Sequence, residues 1–219
     1  MKPAALIQLA FIVLAGIAVF AFVSMARDAE TRRACVPVCA MRPNYAARNR
    51  LAPDFELPSV DGAKVRLSQF RGKTVVLNFW TTTCQPCLEE MPSLADLARV
   101  LKGRGNVALL TVSTDATQEI AMSALRTLLR EPKPPFPVLF DPESTVVRDK
   151  FGTTLYPETW IIDPKGVIRA RFDGARDWSN AMVLDLIDSF ERPLACGVEF
   201  ESGHPSGAEA AICDESGAG

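Results

Sequence analysis

Cys84 and Cys87 stand two residues apart in "WTTTCQPCLEEMP", residues 80–92, directly after an apolar run. That spacing serves three chemistries: half of a tetrahedral zinc site, a structural staple, or a dithiol that opens and closes as the protein works. Zinc needs two further ligands, and no second Cys-x-x-Cys accompanies the pair. A permanent staple fits poorly at a helix mouth, where unpaired backbone N–H groups and the positive end of the dipole favour thiolate and hence reduction. The dithiol reading divides the labour. Cys84, ahead of the helix, attacks a substrate disulfide as thiolate, and Cys87, one turn on and more buried, resolves the mixed disulfide. Pro86 suits the first helical turn, where its missing N–H would have had no partner.

Such a pair needs a strand before it and a helix after it. "TVVLNFW" (74–80) is β-branched and apolar enough to be buried on both faces, which predicts a central strand. Leu88, Met91, Leu94, Leu97, Ala98 and Leu101 then recur at helical spacing until Gly103 and Gly105. Upstream, "KVRLSQF" (64–70) reads as a short strand with a turn at Arg71-Gly72-Lys73. Downstream, "VALLTVST" (107–114) is a second buried strand, and 116–130 an amphipathic helix ended by a proline cluster. "VLF" (138–140), a short helix over 144–151, "ETWIID" (158–163), a Pro164-Lys165-Gly166 hairpin, "VIRARFD" (167–173) and a helix over 178–191 complete the series. The alternation predicts a three-layer α/β domain over 51–192, on a mixed sheet. In such sheets reactive groups sit where a strand's carboxyl end meets the next helix, which is where the two cysteines fall.

The ends of the chain differ from this core. Ala4 to Val23 is apolar but for Gln8, long enough to cross a hydrocarbon layer of ~30 Å. Residues 1–26 are therefore expected to form an uncleaved anchor; Ser24-Met25-Ala26 would pass as a cleavage site, which would make the protein secreted. Lys2 before the span against Arg27, Arg32 and Arg33 after it runs opposite to the positive-inside rule. Six cysteines in 219 residues suit an oxidising compartment, which places the bulk of the chain outside the cytoplasmic membrane. Residues 27–50, broken by Pro37 and Pro43, read as a stalk, and 193–219 as an acidic tail, flexible unless its cysteines pin it. With 24 Lys and Arg against 26 Asp and Glu and no block of like charge, a nucleic-acid partner is excluded.

Cys35, Cys39, Cys196 and Cys213 can pair in three ways, and the expected role is structural, tying stalk and tail to the domain. Alternatives are a second redox relay through Cys35 and Cys39, or a copper or zinc site built from them with His204, the only histidine.

"VVLNFWTTTCQPCLEEMPSL" (75–94) resembles the active-site segment of the TlpA/ResA branch of the thioredoxin superfamily, membrane-anchored extracytoplasmic thiol-disulfide oxidoreductases with a W-x-x-x-C-x-P-C motif. "APDFELPSVDGAKVRLSQFRGK" (52–73) resembles the family's entry strand and hairpin, and "YPETWIIDPKGVI" (156–168) its cis-proline loop. The likeness spans about 51–190 and implies a thioredoxin fold, a mixed central sheet with helices on both faces, behind one transmembrane helix. It implies Cys84 as the exposed nucleophile, Cys87 as resolving thiol, and Pro157 as a cis-proline facing the disulfide, with Tyr156 presenting backbone to substrate. Without the family, Pro157 reads as an ordinary trans proline. Trp80, Gln85 and Pro86 would support the motif. Glu90 matches the family's acid near the thiols, its plain reading being, with Glu89, a first-turn acid on the helix dipole. Asn78 departs from the buried acid of cytosolic thioredoxins, and Thr81, Thr82 and Thr83 replace more usual small and aromatic residues.

The resulting expectation is an extracytoplasmic enzyme reducing protein disulfides, fed by a membrane thiol-electron carrier, with no cofactor or metal; the family's tasks include cytochrome c maturation. The alternatives are a thiol peroxidase, suggested by Thr81-x-x-Cys84, a copper chaperone using Cys35, Cys39 and His204, and a non-catalytic scaffold.

Overall fold

The structure, a computed structural model, describes residues 3–42, 50–190, 196–201 and 204–215. Its centre is a mixed five-stranded sheet in the order β5-β4-β3-β6-β7, built from β3 (Thr74–Trp80), β4 (Val107–Ser113), β5 (Val138–Phe140), β6 (Glu158–Ile162) and β7 (Ile168–Asp173). β3 pairs parallel with β4 and antiparallel with β6. Every residue of β3 is buried, as its unbroken apolar run requires.

Alternation along β3 feeds two cores. Val76 and Trp80 face the helices α2 (Gln85–Leu101), α3 (Gln118–Leu129) and α4 (Ala181–Ser189), meeting Met91, Leu94, Leu125 and Leu186. Val75, Leu77 and Phe79 face the other way, onto Phe55, Phe151 and Trp160, under the hairpin β1 (Glu56–Pro58)/β2 (Lys64–Arg66) and the 3-10 turn Leu67–Phe70. Phe151 makes edge-on contacts with Phe55, Phe79 and Trp160 at 5.1–6.2 Å between ring centres. The expected strand over 64–70 is thus shared between β2 and the 3-10 turn. The expected helix over 144–151 is a run of turns instead: it starts at Ser144 in the left-handed region (φ 56°), with the buried Asp141 carboxylate accepting the N–H groups of Thr145, Val146 and Val147. At the β6–β7 hairpin Gly166 has φ +81°, the left-handed conformation that favours glycine, and the Arg71 guanidinium lies over it.

The two ends are more regular than their composition suggests. The stalk is not irregular up to Met41: the apolar span and residues 27–41 form one helix, α1 (Pro3–Met41), running through Pro37. The helix persists because Cys35, Val38 and Cys39, spaced i, i+3 and i+4, share a buried face against α4 and α5 (Ala210–Glu215). The tail contributes β8 (Glu199–Glu201), β9 (His204–Ser206) and α5, pinned by disulfides Cys35–Cys196 and Cys39–Cys213. Pro43 with the rest of 43–49, residues 191–195, 202–203 and 216–219 lie outside the described residues.

Candidate active site

Parallel β3 and β4 end side by side, so the loops leaving them meet at one edge of the sheet. Cys84 lies in the first loop as the N-cap of α2, with extended backbone (φ −93°, ψ 102°), and its Sγ accepts the N–H of Cys87 at 3.1 Å. Pro86 occupies the first turn, where its missing N–H breaks no helical bond. Cys84 and Cys87 are joined as a disulfide; Cys84 is partly exposed and Cys87 wholly buried. That asymmetry leaves only Cys84 open to attack from outside.

Glu90 lies one turn beyond Cys87 on the same face and is 2% exposed, so it is no surface acid serving only the helix dipole; Glu89 is the exposed one. Glu90 Oε1 accepts Asn78 Nδ2 at 2.7 Å, and Oε2 accepts Trp178 Nε1 at 3.0 Å and the Arg176 N–H at 3.2 Å. Burial outweighs these bonds and pushes the Glu90 carboxyl above the ordinary carboxylate range. The same burial lowers the Arg176 guanidinium's basicity. Asn78 is tied by its Nδ2 to both Glu90 and Thr159 Oγ1, while its buried Oδ1 has no partner. A groove lined by Glu89, Glu90, Ser93, Asp96, Arg176 and Asp177 opens beside this carboxylate.

β6 runs antiparallel to β3 with Glu158 opposite Phe79, so the loop preceding β6 arrives at the same edge as Cys84. The Tyr156–Pro157 bond is cis, Tyr156 packs against the core that also holds Cys84, and Leu155 beside it is 79% exposed. The loop is closed by a hydrogen bond from Thr153 Oγ1 to the buried Glu158 carboxylate, whose pKa burial raises. Trp80 is fully buried under α2 and packs there beneath the motif. Gln85 and Pro86 are exposed beside Cys84, with Gln85 Nε2 donating to Glu89 Oε1 at 3.3 Å.

Spacing alone did not reveal Asp115, just past β4. Its buried carboxylate accepts Thr81 Oγ1 at 2.9 Å, Thr82 N–H at 3.0 Å, Thr82 Oγ1 at 2.6 Å and Ser113 Oγ at 2.8 Å. An acid directly after a buried strand at the sheet's carboxyl edge is the signal that would have found it. The Thr81 hydroxyl donates to Asp115, which gives the Thr-x-x-Cys feature that suggested a peroxidase a structural use in this loop. Cys35 and Cys39 are each locked in a disulfide with the tail, which leaves no thiolate for a metal beside the exposed His204 in this redox state. Among the described residues no cluster of three His, Cys, Asp or Glu is arranged to hold a metal.

Residues 49–171 match the AhpC/TSA family. The thiol-disulfide oxidoreductase ResA of Oceanobacillus iheyensis is 34% identical over 148 residues, 66% of this chain and 71% of that protein. ResA of Bacillus subtilis is 32% identical over 117 residues, 53% of this chain and 62% of that protein. A crystal structure from Chlorobium tepidum assigned as thiol:disulfide interchange protein DsbE superposes with a TM-score of 0.57 at 28% identity, covering 66% of this chain and 98% of that one.

Proposed function

Since the chain belongs to the AhpC/TSA family and, within it, to the ResA-like thiol-disulfide oxidoreductases, we propose that it reduces protein disulfides on the outer side of the membrane that α1 spans. The observation that carries this reading is the Cys84–Cys87 disulfide at a helix N-cap with one sulfur reachable and one enclosed.

In the reduced enzyme the Cys84 thiolate attacks one sulfur of a client disulfide; the client's other sulfur leaves as thiolate and takes up a proton. Cys87 loses its proton and attacks Cys84 Sγ, the mixed disulfide breaks, and the client departs as a dithiol. The enzyme is left in the disulfide state of the structure, and two electrons and two protons from a membrane thiol carrier restore it. Glu90 is the proposed proton acceptor for Cys87. Its raised pKa brings the carboxylate closer to a thiol's basicity, and the groove beside it gives that proton a way to solvent. A carboxylate under the pair also withholds stabilisation from thiolates, which favours a reducing couple over an oxidising one. Tyr156 and Pro157 are proposed to receive the client's backbone, with Gln85 and Pro86 at the rim. The first client to test is the haem-attachment cysteine pair of an apocytochrome c.

Thiol mass-tagging of the chain across a redox buffer series, with Cys84→Ser as control, tests the reading. A single two-electron step at about −250 mV or below, absent from the variant, is expected. A step near about −120 mV would make the protein an oxidant, and no step would overturn exchange altogether.

A further inference from the structure

Cys84 does not find its own position at the mouth of α2. Its N–H donates to the Thr81 carbonyl at 3.2 Å, so its place depends on where Thr81 and Thr82 are held. The Asp115 carboxylate holds them by two hydroxyls and one backbone N–H, and Ser113 Oγ binds its second oxygen while accepting the Asp115 N–H at 3.1 Å. A further bond, Thr114 N–H to the Trp80 carbonyl at 3.1 Å, ties the two loops together just below. The carboxylate is 6% exposed, and every partner named is a donor, so its charge is solvated by this loop instead of by water. The loop that hosts a thiolate has thus been given a buried anion as its anchor.

We propose that Asp115 is a positioning residue that fixes the Cys84 loop and, through its charge, limits the stability of the Cys84 thiolate and so keeps the couple reducing. This rests on the exchange function proposed above. A nearby anion raises the free energy of the thiolate and leaves the neutral disulfide untouched, which shifts the equilibrium towards oxidation of the dithiol. The other charged or titratable groups around the pair are Glu89 and Glu90 on α2, Arg176 on the β7–α4 loop and Tyr156 on the loop before β6. None of these is joined by a hydrogen bond to the Thr81–Thr82 segment, so the effect of Asp115 can be separated from theirs.

Asp115→Asn keeps an oxygen to accept from Thr81 and Thr82 and removes the charge. Its expected result is a Cys84 thiolate pKa below that of the wild type, and an exchange constant with glutathione displaced about three- to tenfold towards the reduced form, about 14 to 30 mV. Thr82→Val removes one donor and leaves the charge, so it should move the thiolate pKa the opposite way. This variant decides the matter if Asp115→Asn does not fold. A wild-type thiolate pKa and exchange constant in the folded variants, whatever happens to their melting temperatures, would reduce Asp115 to a structural cap and overturn the proposal. Both variants are compared with a wild type measured in the same buffers: absence of a redox step there defeats the exchange function itself, whereas coincident steps defeat only the role of Asp115.

Discussion

At the residue scale, the decisive fact about Glu90 is that a carboxylate has been buried among donors that do not fully replace water. With its folded pKa raised above the unfolded value of 4.5, the native state holds a proton that the unfolded chain has released, so native stability is lost as pH rises through the folded pKa. Glu90→Gln removes that loss. Its amide can face Asn78, whose orphaned Oδ1 can turn to accept it, while the Gln oxygen keeps the bonds from Trp178 and Arg176. The variant should therefore melt higher than the wild type at pH 8, with the advantage gone by about pH 4. The same variant should resolve the mixed disulfide about 10²-fold more slowly, the low end of what a positioned base contributes, read by quenched-flow trapping of the Cys84-linked intermediate.

At the element scale, the loop from Gly152 to Pro157 is short and carries an exposed Leu155, yet it is fixed at its base by Thr153 donating to Glu158. Arg171 on β7 lies 3.8 Å from the same carboxylate. Thr153→Val deletes the donor with little change in volume and leaves a buried acceptor less satisfied, a cost of about 1–3 kcal/mol. If this loop receives clients, the variant should raise KM for a disulfide-bonded protein several-fold while the Cys84–Cys87 potential stays at the wild-type value. Steady-state kinetics beside a redox titration reads both. Asp141 and Asp163 show the same use of a buried acid to shape a turn, each accepting several backbone N–H groups without any link to the thiols.

At the scale of the whole molecule, the long apolar helix, the domain and the tail meet at one junction. α1 leaves its apolar stretch and continues as helix into a small core of Cys35, Cys39, Val198 and Cys213. The Cys35–Cys196 bridge joins residues 161 apart, a closure worth about 5 kcal/mol on the chain-entropy model. Once it exists, Cys39–Cys213 closes only the short circuit that remains and adds about 3 kcal/mol. Replacing Cys35 and Cys196 together by Ser should lower the melting temperature of the oxidised protein by several degrees, while Cys39–Cys213 still tethers the tail. The Cys84–Cys87 potential should stay at the wild-type value: Cys35, Cys39 and Cys213 form a small core of their own, and only Cys196 also packs against the main core. A shifted potential would show that this junction is coupled to the thiols.

Local chemistry was legible in the sequence. The Cys-x-x-Cys pair, the apolar run before it and the helical periodicity after it are fixed by neighbours within a turn or two, and they placed the dithiol at the strand–helix junction. The apolar length of the N-terminal stretch was legible too, since it is a matter of composition alone. Partners distant in the chain were not legible. The pairing of Cys35 with Cys196, the bonds from Asn78 and Trp178 to Glu90, the hold of Asp115 on Thr81 and Thr82, and the burial that makes Glu90 more than a dipole acid join segments from 12 to 161 residues apart. The helicity of residues 27–41 and the order in the tail belong with them, since the buried face of 27–41 exists only against α4 and α5, and the tail is held by its bridges to α1. Sequence set the types and spacings that chemistry needs; burial and long-range hydrogen bonding, which exist only once the sheet has brought its edges together, decided which of those groups act and on what.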